Sequence, residues 1–345
     1  MTSLKIKKAL APDSLVAAAN SSACGTILVG DVGGTNARFA LYRYLLDNPK
    51  RGEIVHREIR GVREYGDFSS AMNAYLESQS LKGAELEGAS LAVASAVVGD
   101  EVQFTNSPWK FSIPGIRAQF GFRKLEVLND FEALGSSLDN LPASSQLVVQ
   151  AGKGSAKGTE VVLGPGTGLG VAVRHCDTGL IIPSEGGHVS FAPTDKDERE
   201  LLDFIARDFP RVSYERILSG AGLERLYAFQ RSRHGDASDD KAIVPAAEVV
   251  RRSTENKDEA AVWALDRFLR ILGHFAGDSV LMFGGFRGVY LAGGILPRMT
   301  DRLLDGGFVE RFTEKGRFSS LMRDTPIQLI TDDTASLRGA ALRLL

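Results

Sequence analysis

Short apolar runs and longer amphipathic stretches alternate along this chain. Ile27-Leu28-Val29, Ala89 to Val98, Leu125 to Leu128, Val161-Val162-Leu163 and Gly288 to Leu291 are too short for helices and rich in β-branched or small apolar residues, so they read as buried strands. Val102 to Thr105 is a further short strand, and Arg38 to Tyr42 and Val171 to Val173 resume the strand pattern after glycine-rich gaps. A third strand follows the first pair near Ile54 to Ile59. Helical spacing governs Phe68 to Ser78, with Met72, Tyr75 and Leu76 on one stripe, then a segment from Phe131, then Asp197 to Phe209, Ala260 to Phe283 and Thr334 to Leu345. Ile295 to Met299 starts another helix, with Pro297 in the first turn, where its missing N–H is harmless. Residues 231–245 are polar and rich in Gly, Ser and Asp, a surface excursion. Strands alternating with helices indicate an α/β class.

The gap between the first two strands is Gly30-Asp31-Val32-Gly33-Gly34-Thr35-Asn36. Its simplest geometry is a β-hairpin with its tip at Val32 to Asn36, where glycine permits positive φ and a close approach of backbone to ligand. A nest of such N–H groups binds anions, phosphate above all. An ordinary Asp/Gly turn explains the same residues equally well. Asp31 favours the ligand: a carboxylate beside a phosphate nest needs a cation between them, and Mg2+, held through waters and one or two carboxylates, suits that place. No Gly-Lys-Ser/Thr follows and the next element is a strand, so the stretch is neither a Walker loop nor a dinucleotide fingerprint. The motif returns at Gly164-Pro165-Gly166-Thr167-Gly168-Leu169-Gly170, where Gly166-Thr167 matches Gly34-Thr35. That weak internal repeat suggests two related halves, the second tip lacking an acid and suited to phosphate alone. Gly293-Gly294 ends the strand from Gly288, at a strand-to-helix turn where open α/β sheets bind ligands.

Composition narrows the classes. At 345 residues two domains are the first expectation, and 43% apolar with 24% charged residues is ordinary globular usage. The formal net charge of −2 gives no electrostatic footprint for nucleic acid or an anionic membrane. Cys24 and Cys176 have no Cys-x-x-Cys or Cys/His neighbours, which argues against a disulfide framework or structural zinc and fits a reducing, cytoplasmic location. The Ala261 to Phe283 stretch carries Asp266, Arg267, Arg270, His274 and Asp278, so no run reaches membrane-spanning length. Lys5, Lys7 and Lys8 precede an Ala-rich segment, but Pro12 and Asp13 interrupt a signal-peptide core, and residues 1–24 read as a poorly ordered extension.

Several polar groups stand at strand ends. Asn129-Asp130 follows an apolar strand at its carboxyl end, where catalytic side chains gather, although Asn129 with Glu132 is also a capping box. Glu185-Gly186-Gly187-His188 sets an acid and an imidazole on a glycine loop able to hydrogen-bond several hydroxyls. A solvated turn with a buried His is the plain alternative, and half a metal site is disfavoured by the missing cysteines. Glu215, in the first turn of a helix, is explained by the helix dipole alone. Thr105-Asn106 could contact a ligand or only shape the turn before Pro108.

Together, Asp31-x-Gly33-Gly34-Thr35, the Gly164 to Gly170 tip and Ala292-Gly293-Gly294 resemble the two phosphate motifs and the adenosine motif of the sugar kinase, actin and chaperone ATPase superfamily. With Leu128-Asn129-Asp130-Phe131, Glu185-Gly186-Gly187-His188-Val189-x-Phe191-Ala192-Pro193, Glu215-Arg216-x-Leu218-Ser219-Gly220 and Lys315-Gly316-Arg317-Phe318, the match narrows to the zinc-free bacterial ATP-dependent glucokinases, from about Gly25 to the C-terminus. The resemblance implies a two-domain ribonuclease H-like (actin-like ATPase) fold with an interdomain cleft: a small domain of 25–139 plus 331–345 and a large domain of 140–330. It implies ATP, Mg2+ and glucose as ligands, no nucleic-acid or membrane partner, and a homodimer. Asp130 would accept the proton of the sugar 6-hydroxyl. Asn129, Glu185, His188 and Glu215, with Thr105 and Asn106, would bind the sugar. Gly30 to Thr35, Gly166, Thr167, Gly168, Gly293 and Gly294 would hold the nucleotide, and Asp31 would hold Mg2+ through water. The related ROK sugar kinases carry a cysteine-rich zinc motif soon after Glu-x-Gly-His. Ala192-Pro193-Thr194-Asp195 stands there instead, which leaves His188 for sugar. Rival readings are another hexose or amino-sugar kinase, a sugar-sensing regulator, for which residues 1–24 are too short to supply a helix-turn-helix, and an actin-like filament former, which would lack the Glu-Gly-Gly-His group.

Overall fold

The computed structural model describes residues 24–104, 107–233, 243–255 and 258–345. The expected N-terminal extension, apart from Cys24, and Thr105 and Asn106 therefore lie outside the described residues. The chain divides into two compact units, one ending at Leu128 and including Ala340–Leu345, the other Asn129–Gly339. Residues 129–139 and 331–339 thus group with the second unit.

In the first unit the strands are β1 (Cys24–Val32), β2 (Asn36–Leu45), β3 (Asn48–Gly61), β4 (Ala89–Val93), β5 (Glu101–Gln103), β6 (Lys110–Ser112) and β7 (Leu125–Asn129). The main sheet has the order β3-β2-β1-β4-β7, with β1 antiparallel to β2 and parallel to β4. Helix α1 (Phe68–Ser78) has the anticipated bounds: the Asp67 side chain accepts from Ser70 N–H at its start, and Phe68, Met72, Tyr75 and Leu76 are buried. Helix α2 (Ile113–Phe120) is capped by Ser112 and stopped by Gly121 at φ 70°. Phe39, Phe68, Met72, Tyr75, Leu91, Trp109 and Phe111 share one core. Strand β4 ends at Val93, short of the Val98 expected. Ala94 N–H makes a last bond to Val32 O, then Ser95 Oγ turns to Gln103 O, and Val98 is 80% exposed.

The second unit begins with α3 (Asp130–Ser137) and contains β8 (Gln146–Gln150), β9 (Thr159–Pro165), β10 (Leu169–His175), β11 (Leu180–Ser184), α4 (Lys196–Ala206), α5 (Gly220–Arg233), α6 (Ala246–Thr254), α7 (Glu259–Phe283), β12 (Gly288–Leu291), α8 (Thr300–Leu304), α9 (Gly307–Thr313), α10 (Ser319–Asp324) and β13 (Ile327–Ile330), with most of α11 (Ala335–Leu344). The sheet order is β11-β10-β9-β12-β13-β8. Side chains alternate across it: Val161, Leu163, Val171, Val289 and Leu291 join the core with α5 and α7, while Val162, Ala172 and Ala292 join Phe131 and Leu134 of α3 and Ala335 of α11. Helices thus cover both faces, which is why these strands read as unbroken apolar runs. Asp258 caps α7 by accepting from Ala260 and Ala261 N–H, and Gly284 at φ 65° ends it.

The weak repeat in sequence is strong in topology. β3-β2-β1-β4-β7 and β11-β10-β9-β12-β13 correspond strand for strand, each with an antiparallel hairpin whose first strand pairs in parallel with a later one. Three local expectations are corrected. Pro297 sits in a single 3-10 turn, Leu296–Arg298, and helix begins only at Thr300. Glu215 also lies in a 3-10 turn, Tyr214–Arg216, ahead of α5. Arg231 to Arg233 finish α5, so only the rest of the 231–245 excursion is non-helical or lies outside the described residues. Among the described residues no helix is long and apolar enough to cross a membrane.

Candidate active site

In the first unit the hairpin register sets Asp31 opposite Arg38. Arg38 Nη1 donates to Asp31 Oδ2 at 2.9 Å. The tip closes with Gly33 N–H donating to Asn36 O at 2.9 Å. The positive φ expected of these tip glycines is not found. What Gly33 supplies is space: a side chain there would meet nothing nearer than Asn36 O at 3.7 Å. Gly30 differs, since Leu91 already fills the place of its side chain at 2.7 Å, and Val32 is wholly buried. These two build the strand under the tip, and only their backbone can face a ligand.

In the second unit the turn between β9 and β10 is stapled by its neighbours. Gly166 N–H donates to Gly168 O at 2.8 Å across the turn, and Gly220 N–H donates to Gly166 O at 3.0 Å. Leu169 N–H donates to Glu215 Oε2 at 2.9 Å. Gly166 has open space where a side chain would stand, whereas a side chain on Gly168 would meet Glu215 Oε2 at 2.4 Å. Gly293 does take positive φ, at 91°, and lies so close to the turn that a Cβ would reach Pro165 O at 2.3 Å; the space beside Gly294 is open. The glycine turn and the Gly293-Gly294 turn therefore form one continuous edge.

Glu185, His188 and Glu215 come together beside that edge. His188 Nε2 is 3.7 Å from Glu185 Oε2, and Nδ1 is 3.8 Å from Glu215 Oε1. These gaps exceed direct hydrogen bonds and suit a bridging hydroxyl or water. The side chains are 59% (Glu185), 45% (His188) and 26% (Glu215) exposed, so a ligand can reach all three, and the alternative of a buried structural histidine does not hold. Gly187 is required for the approach: a Cβ would strike Leu169 O at 2.1 Å. Ser184 Oγ accepts from Gly186 N–H at 3.0 Å, and Arg211 donates to His188 O at 2.7 Å. Tyr214 N–H donates to Val189 O at 3.1 Å and Ser190 pairs with Ser213, which sets Glu215 against His188.

Asn129 and Asp130 join β7 to α3. Asn129 is the cap: its Oδ1 accepts from Phe131 N–H at 2.9 Å and Glu132 N–H at 3.3 Å. Asp130 Oδ1 also accepts from Phe131 N–H, at 3.0 Å. Capping does not exclude a functional role, because a carboxylate offers about four acceptor sites. The ring of Phe131 lies flat on β10, where a Cβ on Gly170 would stand 1.9 Å from it. On the other side of α3, a Cβ on Gly339 would stand 1.7 Å from Ala133 O. Gly170 and Gly187 stood inside motifs read in the sequence, without a role of their own, and Arg38, Ser184 and Arg211 were not singled out there. Of these last three, Arg38 had a signal, since counting back from the hairpin tip pairs it with Asp31.

Among the described residues no group of three or more His, Cys, Asp or Glu side chains could cage a metal. A single carboxylate near a glycine tip fits only a cation that keeps most of its ligands as waters and phosphate oxygens, the habit of Mg2+.

A family model described as Glucokinase matches residues 28–345. The chain is 37% identical over 319 residues to a glucokinase of Saccharophagus degradans, covering 91% of this chain and 96% of the relative. The crystal structure of a glucokinase from an Antarctic psychrotroph superposes with a TM-score of 0.77 at 34% identity, covering 92% and 98% of the two chains. A ROK family glucokinase of Streptomyces griseus, solved with glucose and AMPPNP, shares the fold at 16% identity, with a TM-score of 0.63 and 92% and 98% coverage. The fold is that of the actin-like ATPases. On a match that runs from Leu28 to the last residue, the chain belongs to the glucokinase family.

Proposed function

We propose that the chain transfers the γ-phosphoryl group of ATP to the 6-hydroxyl of D-glucose, giving glucose 6-phosphate and ADP, with Asp130 as the general base. The observation that carries this reading is the meeting, in one unit, of the Glu185–His188–Glu215 group with the glycine turn of residues 166–168. The first has the donors and acceptors to read several sugar hydroxyls, and the second has the open backbone to receive phosphate.

Phosphoryl transfer depends chiefly on placement and on offsetting charge. Asp130 orients the hydroxyl and takes its proton as the bond to phosphorus forms. Asn129 binds a neighbouring sugar oxygen from the same strand end. Glu185 and Glu215 accept from hydroxyls, and His188 donates or accepts between them. A sugar lacking a matching hydroxyl would leave these groups unpaired, which is the basis of discrimination. The backbone at Gly33-Gly34, Gly166 to Gly168 and Gly293-Gly294 holds the nucleotide. Asp31 would hold Mg2+ through water, and the ion would offset negative charge on the phosphates.

Product formation with ATP across glucose, fructose, mannose and N-acetylglucosamine tests the substrate. Glucose should give the highest kcat/KM, and equal rates on an amino sugar would overturn the assignment. Asp130→Asn should retain glucose binding and lose at least about a hundredfold in turnover. A variant with near-normal turnover would remove Asp130 from the role of base.

A further inference from the structure

One carboxylate touches both the turn that would hold phosphate and the residues that would hold sugar. Glu215 Oε2 accepts from Leu169 N–H at 2.9 Å, while Oε1 stands 3.8 Å from His188 Nδ1. The backbone repeats the link. Gly220 N–H grips Gly166 O at 3.0 Å, Ser219 Oγ donates to Glu215 O at 2.8 Å, and Tyr214 N–H bonds Val189 O at 3.1 Å. The 213–220 segment is thus tied at one end to the His188 loop and at the other to the 166–169 turn. A negative charge in this place opposes what the turn does. Its N–H groups attract phosphate, yet the carboxylate repels phosphate and already occupies one of the donors.

We propose that Glu215 makes nucleotide binding depend on sugar. Without sugar, its charge weakens the hold of the turn on phosphate. A sugar hydroxyl donating to Oε1 offsets part of that charge, so glucose raises the affinity for nucleotide. By linkage, nucleotide raises the affinity for glucose by the same factor. The inference rests on the placing of sugar at Glu185, His188 and Glu215, and adds to it a reason for the acid at position 215 to be charged.

The test is calorimetric titration of AMPPNP with Mg2+, with and without saturating glucose, and of glucose alone. In the unaltered chain glucose should tighten AMPPNP binding by at least about fivefold, the low end of ordinary coupling. Glu215→Gln keeps an oxygen for Leu169 N–H but removes the charge. It should bind AMPPNP more tightly than the unaltered chain when sugar is absent, with a glucose effect below twofold. A part confined to holding the turn in shape predicts the opposite sign, weaker nucleotide binding in both conditions. Glu215→Asp, which keeps the charge, should retain weak sugar-free binding, and it carries the test if the Gln variant does not fold. An unaltered chain with no glucose effect, or a Gln variant with the full effect, overturns the coupling. Unchanged glucose affinity in the Gln variant would instead remove Glu215 from the sugar site and with it the reading beneath.

Discussion

Gly170→Ala puts the placement of Asp130, the proposed base, to a direct test. The added Cβ would stand 1.9 Å from two atoms of the Phe131 ring. Carbon atoms rest at about 3.5–4.0 Å, so the ring must retreat by about 2 Å. It has little room, since Phe131 is 9% exposed and shares its core with Leu134, Val162, Ala172 and Ile181. Retreat along α3 is blocked where Gly339 meets Ala133 O. Overpacking of this kind costs about 1–3 kcal/mol, and at about 2–4 °C per kcal/mol for a unit of this size the melting temperature should fall by about 5 °C. The larger effect is on chemistry. Phe131 adjoins Asp130 and its N–H bonds the Asp130 carboxylate, so the proposed base moves with the ring. A misplacement of about 1 Å is worth about a hundredfold in rate. A coupled assay of ADP release, run at a temperature where the variant's melting curve shows it folded, should show kcat down about a hundredfold with the KM for glucose changed far less. Phe131→Leu in the same chain makes room for the methyl and should restore most of the turnover. Gly170→Ala with kcat within threefold of the unaltered chain would refute the reasoning, as would a double variant no faster than the single one.

Gly293→Ala forces a side chain into φ 91° and to 2.3 Å from Pro165 O, so it should raise the KM for ATP more than that for glucose in steady-state kinetics. Asp31→Asn removes the charge opposite Arg38 and should increase the Mg2+ concentration for half-maximal rate, measured by Mg2+ titration at fixed ATP, with the KM for glucose unmoved. The Lys315 side chain is 5% exposed, with Nζ 2.8 Å from Asp278 Oδ1 and 3.0 Å from His274 Nδ1. Asp278→Ala would take from that ammonium the only carboxylate paired with it among the described residues and leave it His274, and should destabilise the chain by about 3 kcal/mol in urea unfolding, the low end for such pairs because His274 still bonds it and the Asp278 side chain is 34% exposed. Burial alone would raise the Asp278 carboxyl, but hydrogen bonds from His274 and Lys315 and their charges outweigh it and hold the group below its ordinary 3.8. A lowered carboxylate stabilises above its unfolded value and loses that contribution as pH falls through the folded one. Stability should therefore drop below about pH 4, and less steeply in Asp278→Asn.

The sequence alone determined the α/β class, the two glycine hairpins, the strand end that carries Asn129-Asp130, and the kinship that names ATP and glucose. These are local matters: strand periodicity, turn chemistry and motif spacing are set within ten or fifteen residues of chain. Tertiary structure decided the rest, because it concerns which remote segments touch. Glu215 looked like a residue placed for a helix dipole until the fold set it on Leu169 N–H and beside His188. Gly170, Gly187 and Gly293 are three of 37 glycines in the chain. Only packing shows that each is demanded by one neighbour across the fold: the Phe131 ring, Leu169 O and Pro165 O. A glycine in a sequence records a missing side chain, and what occupies the space it leaves is a property of the folded chain.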